Sequence, residues 1–494
     1  MLVAVSEHRF MTLLRGEAEI RKVGLRCLHR GGYYRLMPGG IEQHTIYQIP
    51  LDQRHGRPRQ LFTLWCGANL NVLTVVTGAL ATTLFGQSFL SGVVAILIGN
   101  LVGTIFMALH AAQGPRLGVP QMVQSRGQFG AKGAAFVVAL VIFMYVGYAG
   151  TALVTGGQSL HAILPGLDAR ACIVAIGIIS LTAAIYGHDL IHFCTRMLTY
   201  VSGSAVLLGY VSVLFVHPLP ATFMTQGTFS AAGFFSMVSM CALWQLGYAP
   251  YVSDYSRYLP PDSGPRQAFW SCYWGTTLGA VLPMILGALI GPAVIDGDVV
   301  AALSRLTGKA STAIVLLFAP GVAIAGAICF YGGSLAIITF AQTFATDWRA
   351  SARARTTVTI CIFLAALLIA VEGASNFLTL YSQFNQLLLY VLMPWTAVNL
   401  IDYYLIRFGH YDVPAFFAPD GGVYGKYNIA ALVCYGLGIL VQIPFVSSDL
   451  YTGPIARAIG NIDLSWIVGF LVVSPVYYFA ARPRAGIATV GQRL

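Results

Sequence analysis

The chain has 494 residues, of which 57% are hydrophobic and only 9% are charged. Soluble globular proteins carry roughly 25% charged residues. Apolar runs of about 20 residues, each long enough to cross a ~30 Å hydrocarbon core, recur along the whole chain. The composition excludes a soluble globular protein and predicts an all-α polytopic membrane protein.

The first 60 residues form a predicted cytoplasmic tail without the apolar core of a cleavable signal peptide. Met37 is a plausible initiator, so residues 1–36 are either non-native sequence upstream of the true start or part of a genuine tail. Residues 61–481 are predicted to form a twelve-helix membrane domain, and residues 482–494 a second cytoplasmic tail.

Twelve apolar segments, numbered 1 to 12 in chain order, make up the predicted membrane domain. They lie near 61–85, 89–112, 134–160, 171–187, 194–216, 232–252, 268–291, 312–343, 356–371, 377–405, 428–446 and 464–481. Twelve crossings would place both termini on the same side of the membrane. The motifs GNLVG (99–103) in segment 2 and GALIG (287–291) in segment 7 fit the small-residue pattern of close helix packing.

The distribution of basic residues supports this topology. The chain carries 28 Lys and Arg residues and a net charge of +10. All but four of the 28 fall in the tails or in the alternate loops on the side of the tails. The four exceptions are Arg170, Arg305, Lys309 and Arg457. Because cytoplasmic loops carry excess Lys and Arg, we expect both termini in the cytoplasm. The charge therefore needs no nucleic-acid partner.

Two segments are interrupted near their centres. Segment 1 is interrupted at Gly67–Asn71 (GANLN), and segment 6 at Trp244–Gly247 (WQLG), with Pro250 following. Interruptions at matching places in two five-helix halves indicate an inverted-repeat transporter whose substrate site lies where the breaks meet. The alternative is that Gly67 packs helices closely and the two asparagines bond between helices. The spacing alone favours neither interpretation.

Four stretches resemble a known family, and long polar strings of this kind rarely recur by chance. They are IEQHTIYQIPLDQRHGRPRQLFTLWCGANLN (41–71), GPRLGVPQMVQSRGQFG (114–130), APYVSDYSRYLP (249–260) and PWTAVNLIDYYLIRFGHYDV (394–413). They are similar to the nucleobase:cation symporter family of the purine–cytosine permease type, from about Ile41 to the end of segment 12. The resemblance implies a leucine-transporter-like 5+5 inverted repeat plus two extra helices. It also implies import of a nucleobase such as cytosine, or of a related heterocycle, across a bacterial-type inner (plasma) membrane by cation symport and alternating access.

The resemblance further implies that a flat ring is held between aromatic side chains of segments 3 and 6, while amides bond its edge. Tyr148 falls where family members often carry a tryptophan. From segment 6, Trp244 and Gln245 are the candidates, either together or with only one of them facing inward. In segment 1, Asn71 matches a polar position near substrate and ion, and Asn69 is a second candidate.

The implied ion site departs from the family pattern. In sodium-coupled relatives, carbonyls of the broken first helix and hydroxyls of the eighth helix surround the ion. Carbonyls near Gly67 and Leu70 could serve here, but alignment on Tyr331 puts Ile324 and Ala325 at the hydroxyl positions. We therefore expect sodium to bind weakly, and favour H⁺ slightly over Na⁺ as the coupling cation.

Two amide positions of the family are also missing, because Ala152 and Gly326 stand there. Close substrate analogy is therefore not implied. Candidate proton carriers are Glu372, at the outer end of segment 9, and Asp254, at the inner end of segment 6. The alternative for both carboxylates is ordinary solvation at a loop end.

A cytoplasmic gate is a further possibility. Arg116 and Arg126 follow segment 2, while Asp254 and Arg257 follow segment 6 on the same predicted face. Exposed ion pairs are worth only ~0–1 kcal/mol each, which suits a gate that must open. The alternative is that the arginines only determine topology.

Other function classes have less support in the sequence. An enzyme is not predicted, because no HExxH, GxSxG or intramembrane cluster of His, Asp and Glu appears. No cofactor is expected. HDLIH (188–192) has metal-like spacing but lacks a third ligand, so no metal site is predicted. The open alternatives are a transporter of a vitamin-like or hydantoin/allantoin-like ring, and a transport-inactive membrane receptor for such a ring. The expected partners are thus a small planar heterocycle and the lipid bilayer.

Overall fold

The computed structural model describes residues 46–490 except 55, 217, 221, 263, 296, 346 and 449. Within these residues, the regular structure is helical apart from one isolated bridge between Ser447 and Thr452. The described residues do not include the tail that precedes residue 46, with the predicted start at Met37, or the last four residues. The side chains of the three polar residues of HDLIH also lie outside the described part of the chain.

Each of the twelve predicted segments coincides with helical structure. In order, the helices are Pro58–Asn69 with Val72–Thr83 (segment 1), Phe89–Ala111 (2), Ala134–Ile163 (3), Ala169–Tyr186 (4), His188–Val211 (5), Ala231–Leu246 (6), Gly264–Ile290 (7), Ser311–Phe344 (8), Ala352–Gly373 (9), Phe377–Ile401 (10), Ile429–Gln442 (11) and Ser465–Val490 (12). In the described chain, nine helices are long and apolar enough to cross a membrane, and the bent pair of segment 1 is a tenth. The all-α polytopic fold is confirmed. Segments 6 and 11 contain shorter apolar helices, so the twelve crossings are consistent with the structure but stay a prediction.

Shorter helices lie in the loops between segments. Two α-helices follow segment 2, one follows segment 5, one follows the break of segment 6, one precedes segment 8, and one lies between segments 11 and 12. They are Gly114–Leu117, Gln121–Phe129, Thr222–Thr225, Val252–Ser256, Val299–Thr307 and Pro454–Ala458. The helix Gln121–Phe129 is buried throughout, although it belongs to a loop. This loop is therefore part of the packed interior of the domain.

The structure breaks segment 1 at Leu70 and Asn71. The two half-helices meet at an angle of 58°. Asn71 is extended, with φ −147° and ψ 169°, and its side-chain oxygen accepts a hydrogen bond from Thr74 N–H at 3.3 Å. Asparagine is a favoured N-cap because its side chain satisfies an otherwise free backbone N–H. Asn71 thus starts the second half-helix, while Leu70 caps the end of the first.

Segment 6 is interrupted by a turn rather than a second long helix. Its helix ends at Leu246, a turn covers Gly247–Tyr251, and the short helix Val252–Ser256 follows. Segment 1 packs against segments 5 and 7, segment 6 against segment 2, and segment 3 against segment 8. Segments 11 and 12 pack on each other and on segment 10. The two interruptions therefore lie among the first ten segments.

Glycines allow the closest helix contacts. A Cβ atom added at Gly103 would lie 2.5 Å from the carbonyl oxygen of Ala242, and one at Gly287 would lie 1.9 Å from that of Val75. Real Cβ atoms do not approach backbone oxygens so closely, so either substitution must move a helix. The packing role predicted for GNLVG and GALIG is confirmed.

The Gly287→Ala variant is expected to lower the free energy of unfolding by about 1–3 kcal/mol, since overpacking forces backbone shifts. Gly436→Ala in segment 11 is the matched control, because a Cβ there meets no atom of the described chain within 4 Å. The measurement is the thermal unfolding temperature of each purified variant in detergent. Equal unfolding temperatures for the two variants would contradict this account of the segment 1–segment 7 contact.

Candidate functional site

A cavity lies where the breaks of segments 1 and 6 face segments 3 and 8. The lining residues are Ala68, Asn71, Leu73, Tyr148, Ala152, Trp244, Gly247, Tyr248, Tyr251, Ala325, Ile328 and Cys329. Aromatic rings and small apolar side chains dominate, so the cavity suits a flat and mostly apolar ligand.

Three of the five predicted substrate residues line this cavity. Asn71, Tyr148 and Trp244 come from three different segments and meet there. Asn69 and Gln245 are buried and lie outside the lining that the described residues form. Substrate contact stays a prediction for all five residues.

Asn69 connects three segments just behind the cavity wall. Its side-chain nitrogen donates to the main-chain oxygen of Trp65 at 2.7 Å and to Thr276 Oγ1 at 3.0 Å in segment 7. Its side-chain oxygen accepts from Trp244 Nε1 at 2.6 Å and from the Tyr248 hydroxyl at 2.9 Å. Because both of these aromatic residues line the cavity, Asn69 fixes the orientation of one wall.

Gln245 points away from the cavity. Its side-chain nitrogen donates to Asn100 Oδ1 at 2.6 Å in segment 2, and its oxygen accepts from Thr276 Oγ1 at 2.6 Å in segment 7. Adjacent helical residues point about 100° apart, and Leu246 ends the helix only one residue later. Of the two alternatives at this position, Trp244 therefore faces the cavity and Gln245 the helix interface.

Tyr148 is held by a partner that the sequence analysis did not identify. Its hydroxyl donates to Asn385 Oδ1 at 2.9 Å in segment 10. A Cβ atom at Gly247 would lie 3.1 Å from the same hydroxyl oxygen, so a glycine in the segment 6 turn lets the phenol approach. Ala152, where family members often carry an amide, lines the cavity one helical turn further on.

Sequence reasoning also missed the three lining residues Tyr248, Tyr251 and Cys329, whose side chains carry a hydroxyl or a thiol. The two tyrosines follow the end of the helix at Leu246, so helical spacing does not predict the direction of their side chains. The turn brings both of them to the cavity wall. The signal available in the sequence was the aromatic-rich string GYAPYVSDY itself. Asn385 had no comparable signal, since its partner is 237 residues away.

The predicted ion residues have close neighbours in segments 5 and 8. A Cβ atom at Gly67 would lie 2.2 Å from the carbonyl oxygen of Thr195, so this glycine permits close packing on segment 5. The Leu70 carbonyl oxygen faces Gly321 of segment 8, whose added Cβ would lie 2.9 Å from it. Ala325 lines the cavity and Ile324 is buried, and neither offers a hydroxyl ligand. An ion role for Gly67 and Leu70 stays a prediction.

Aromatic residues close the cavity toward the end of the bundle that carries Asp254. Tyr251 of the lining lies 6.0 Å from the Trp65 ring and 5.3 Å from the Tyr145 ring, measured between centroids. Trp65 in turn packs edge-on against Tyr255 at 5.6 Å. At the opposite end of the bundle, a depression is lined by Thr83, Gln158, Asp298 and Phe377, among others.

The four predicted gate residues lie at the end that carries Asp254. Asp254 is buried and accepts a hydrogen bond from the backbone N–H of Gln121 at 2.9 Å. The Arg257 guanidinium is also buried and donates to the main-chain oxygen of Asp254 at 3.2 Å. Arg116 is exposed, with its guanidinium 3.5 Å from the carbonyl oxygen of Phe408. Loops after segments 2, 6 and 10 therefore meet around these side chains.

Arg126 is bound mainly by carbonyl oxygens. It donates to the main-chain oxygens of Thr339 at 2.8 Å and Phe416 at 3.1 Å, which belong to segment 8 and to the loop after segment 10. Burial lowers the pKa of the guanidinium to about 10, and the nearby Tyr47 phenol opposes this shift. The contacts join the loop after segment 2 to two other regions, and a gating role stays a prediction.

Comparison with known proteins points to permeases. Residues 48–469 match the family described as permease for cytosine/purines, uracil, thiamine, allantoin. YxlA of Bacillus subtilis, whose name assigns it to the purine-cytosine permeases, is 36% identical, over 90% of this chain and 96% of the relative. The purine-cytosine permease fcyB of Emericella nidulans is 24% identical, over 90% of this chain and 88% of its own.

A solved structure shares the fold. Mhp1, a nucleobase-cation-symport-1 family transporter in a closed conformation with bromovinylhydantoin bound, superposes with a TM-score of 0.72. The alignment covers 91% of this chain and 97% of Mhp1 at 17% sequence identity. At this identity the likeness concerns the fold alone. It confirms the leucine-transporter-like architecture with inverted repeats.

The Asn69→Leu variant is expected to lower the thermal unfolding temperature by several degrees. Leucine has a similar size, but it leaves the Trp244 N–H and the Tyr248 hydroxyl without their buried acceptor, and each such loss costs about 1–3 kcal/mol. The matched control is Thr276→Val, which removes the hydroxyl that donates to Gln245 Oε1 and accepts from Asn69 Nδ2 but keeps both bonds to Asn69 Oδ1, so it should cost less. If both variants unfold at the wild-type temperature, Asn69 does not hold this wall.

Proposed function

Because this chain belongs to the family of permeases for cytosine/purines, uracil, thiamine and allantoin, we propose that it imports a nucleobase or related flat heterocycle by cation symport and alternating access. Family membership makes the protein a membrane transporter of small heterocycles and not an enzyme. The choice of ring, the coupling to a cation and the direction of transport are the parts proposed here.

The observation that carries the proposal is the aromatic cavity at the two helix breaks. Tyr148 and Trp244 enter it from segments 3 and 6, and Asn71 from the break of segment 1. Stacking of a base on an aromatic side chain is worth ~1–3 kcal/mol and suits any planar ring. A ring of nucleobase size would stack on Trp244 and be bonded at its edge by side chains such as Asn71.

The two ends of the bundle support alternating access. The cavity is separated from the Asp254 end by the rings of Tyr251, Trp65 and Tyr145, while the opposite end carries the large depression beside Asp298. In inverted-repeat transporters, rocking of one repeat against the other exposes a central site to each side in turn. The buried contacts of Arg126 and Asp254 would have to separate for the Asp254 end to open, as a gate requires.

For the coupling cation we propose a proton rather than sodium. A hard cation such as sodium needs several oxygen ligands. The segment 8 positions Ile324 and Ala325 supply no hydroxyl, which leaves mainly backbone carbonyls such as that of Leu70. Of the two candidate proton carriers, Asp254 is buried and Glu372 is exposed, so the contacts favour Asp254.

A second candidate function is transport of a vitamin-like or hydantoin/allantoin-like ring. The family description includes thiamine and allantoin, and the Mhp1 structure contains a hydantoin. The observation that favours this candidate is Ala152 in the cavity wall, which removes an amide that often bonds the ring edge in the family. A transport-inactive receptor for such a ring remains the third alternative, and uptake measurements separate it from the first two.

Uptake of labelled cytosine, uracil, adenine, hypoxanthine, allantoin and a hydantoin into cells expressing the full chain tests the proposal. We expect saturable accumulation of at least one nucleobase, loss of accumulation on adding a protonophore, and no change when sodium is replaced. The control is the same cells carrying Trp244→Ala, which removes a cavity ring and should reduce uptake at least about tenfold by loss of stacking.

Each contrary result has a distinct meaning. Strict sodium dependence would overturn the proton proposal but keep the transport function. Accumulation of the hydantoin or allantoin alone would favour the second candidate. Binding without accumulation of any ring would favour the receptor.

A further inference from the structure

Two tyrosine hydroxyls of the cavity wall bond to asparagines behind that wall. The Tyr148 hydroxyl lies 2.9 Å from Asn385 Oδ1, and the Tyr248 hydroxyl lies 2.9 Å from Asn69 Oδ1. Neither asparagine belongs to the lining that the described residues form. A hydroxyl has one hydrogen to donate and two lone pairs that accept, so the direction of each bond determines what the cavity offers to a ligand.

The orientation of the Asn69 amide follows from partners that can play only one role. The indole N–H of Trp244 can only donate, and it lies 2.6 Å from Oδ1. The main-chain oxygen of Trp65 can only accept, and it lies 2.7 Å from Nδ2. The oxygen of Asn69 therefore faces Tyr248, and this hydroxyl must donate its hydrogen away from the cavity.

The same reasoning fixes the Asn385 amide. Its Nδ2 lies 2.7 Å from the main-chain oxygen of Tyr381, which can only accept. The other amide atom, Oδ1, consequently faces Tyr148 and accepts from its hydroxyl. Both phenols thus use their hydrogens outside the cavity and present only acceptor lone pairs to a bound ring.

The two phenols differ in how much it costs to turn the hydroxyl hydrogen toward a ligand. If Tyr248 turned its hydrogen toward a ligand, Asn69 Oδ1 would keep the hydrogen bond from Trp244. If Tyr148 did so, Asn385 Oδ1 would lose the donor that the structure gives it, although Asn385 is only 1% exposed. A buried acceptor left without its donor is costly. Tyr148 is therefore the stricter of the two acceptors.

The rest of the lining adds one donor and little else with a fixed direction. Asn71 donates one N–H to the main-chain oxygen of Ala68 at 2.7 Å and accepts from Thr74 N–H, which leaves its second N–H for a ligand. Tyr251 and Cys329 can either donate or accept, so they do not discriminate between rings. The fixed pattern is two acceptors on segments 3 and 6 and one donor on segment 1.

We propose that this cavity prefers rings with an amino group over rings with a carbonyl at the same position, and that the Tyr148–Asn385 pair sets the preference. The amino groups of cytosine and adenine donate to a phenol oxygen, whereas the carbonyls of uracil and hypoxanthine would meet its lone pairs. This inference rests on the proposed function and adds a chemical class of substrate to it.

The test compares dissociation constants of the purified full chain for cytosine against uracil and for adenine against hypoxanthine, measured by calorimetry. In the wild type we expect the amino member of the bound pair to bind about tenfold tighter or more, the effect of one mismatched buried hydrogen bond. In Asn385→Leu the Tyr148 hydroxyl is free to turn, so the preference should fall about tenfold. In Asn385→Leu part of this change should be a gain in affinity for the carbonyl base, to which the freed hydroxyl can donate. In Tyr148→Phe the amino-substituted base should lose affinity, and the carbonyl base should not show that gain because no hydroxyl remains.

Tyr390→Phe is the matched control on the same segment. It removes a hydroxyl that donates to Asp463 Oδ2 at 2.7 Å and lies outside the lining of the described chain, so the amino preference should stay at the wild-type value. An unchanged preference in folded Asn385→Leu would overturn the role of the pair. If Asn385→Leu does not fold, the wild-type ratio and Tyr148→Phe still decide.

Failure of the inference differs from failure of the proposed function. Equal wild-type affinity for both members of each pair, or tighter binding of the carbonyl member, would overturn the inference and keep the transport of nucleobases. No binding of any of the four bases would overturn the proposed nucleobase function, and the inference with it.

Discussion

A lipid bilayer offers no hydrogen-bond partner to a broken helix, so every backbone group at the break of segment 1 must be satisfied within the protein. Two asparagines meet this constraint. Asn71 caps the second half-helix, and its side-chain nitrogen donates to the main-chain oxygen of Ala68. The main-chain oxygen of Asn69 accepts from the backbone N–H of Asn71. The Asn69 side chain accepts from the Trp244 indole and donates to the main-chain oxygen of Trp65. The polar residues in an apolar segment therefore make the break possible.

The cavity depends on the same bonds. Trp244 and Tyr248 are oriented by Asn69, and Tyr148 is oriented by Asn385, so the wall that faces a ligand is determined by amides that do not line the described cavity. The tight packing of segments 1 and 7 through Gly287 keeps this arrangement together. Shape, aromatic character and hydrogen-bond polarity of the site thus follow from one set of buried contacts.

Much of this could be predicted from the sequence. Hydropathy indicated all twelve helical segments, and the family resemblance placed Asn71, Tyr148 and Trp244 in what is the cavity wall. The directions of the Asn69 and Gln245 side chains could not be predicted, because near a helix break the direction of a side chain depends on its tertiary partners. Asn385 had no sequence signal, since packing rather than spacing brings it to Tyr148.

The most direct test of the central claim is a cryo-electron microscopy map of the full chain with a saturating nucleobase. We predict density for a planar ring stacked on Trp244 in this cavity, with its edge toward Asn71 and the Tyr148 hydroxyl. Density for the ring at another place, with this cavity empty at saturating ligand, would contradict the claim that the two helix breaks form the substrate site.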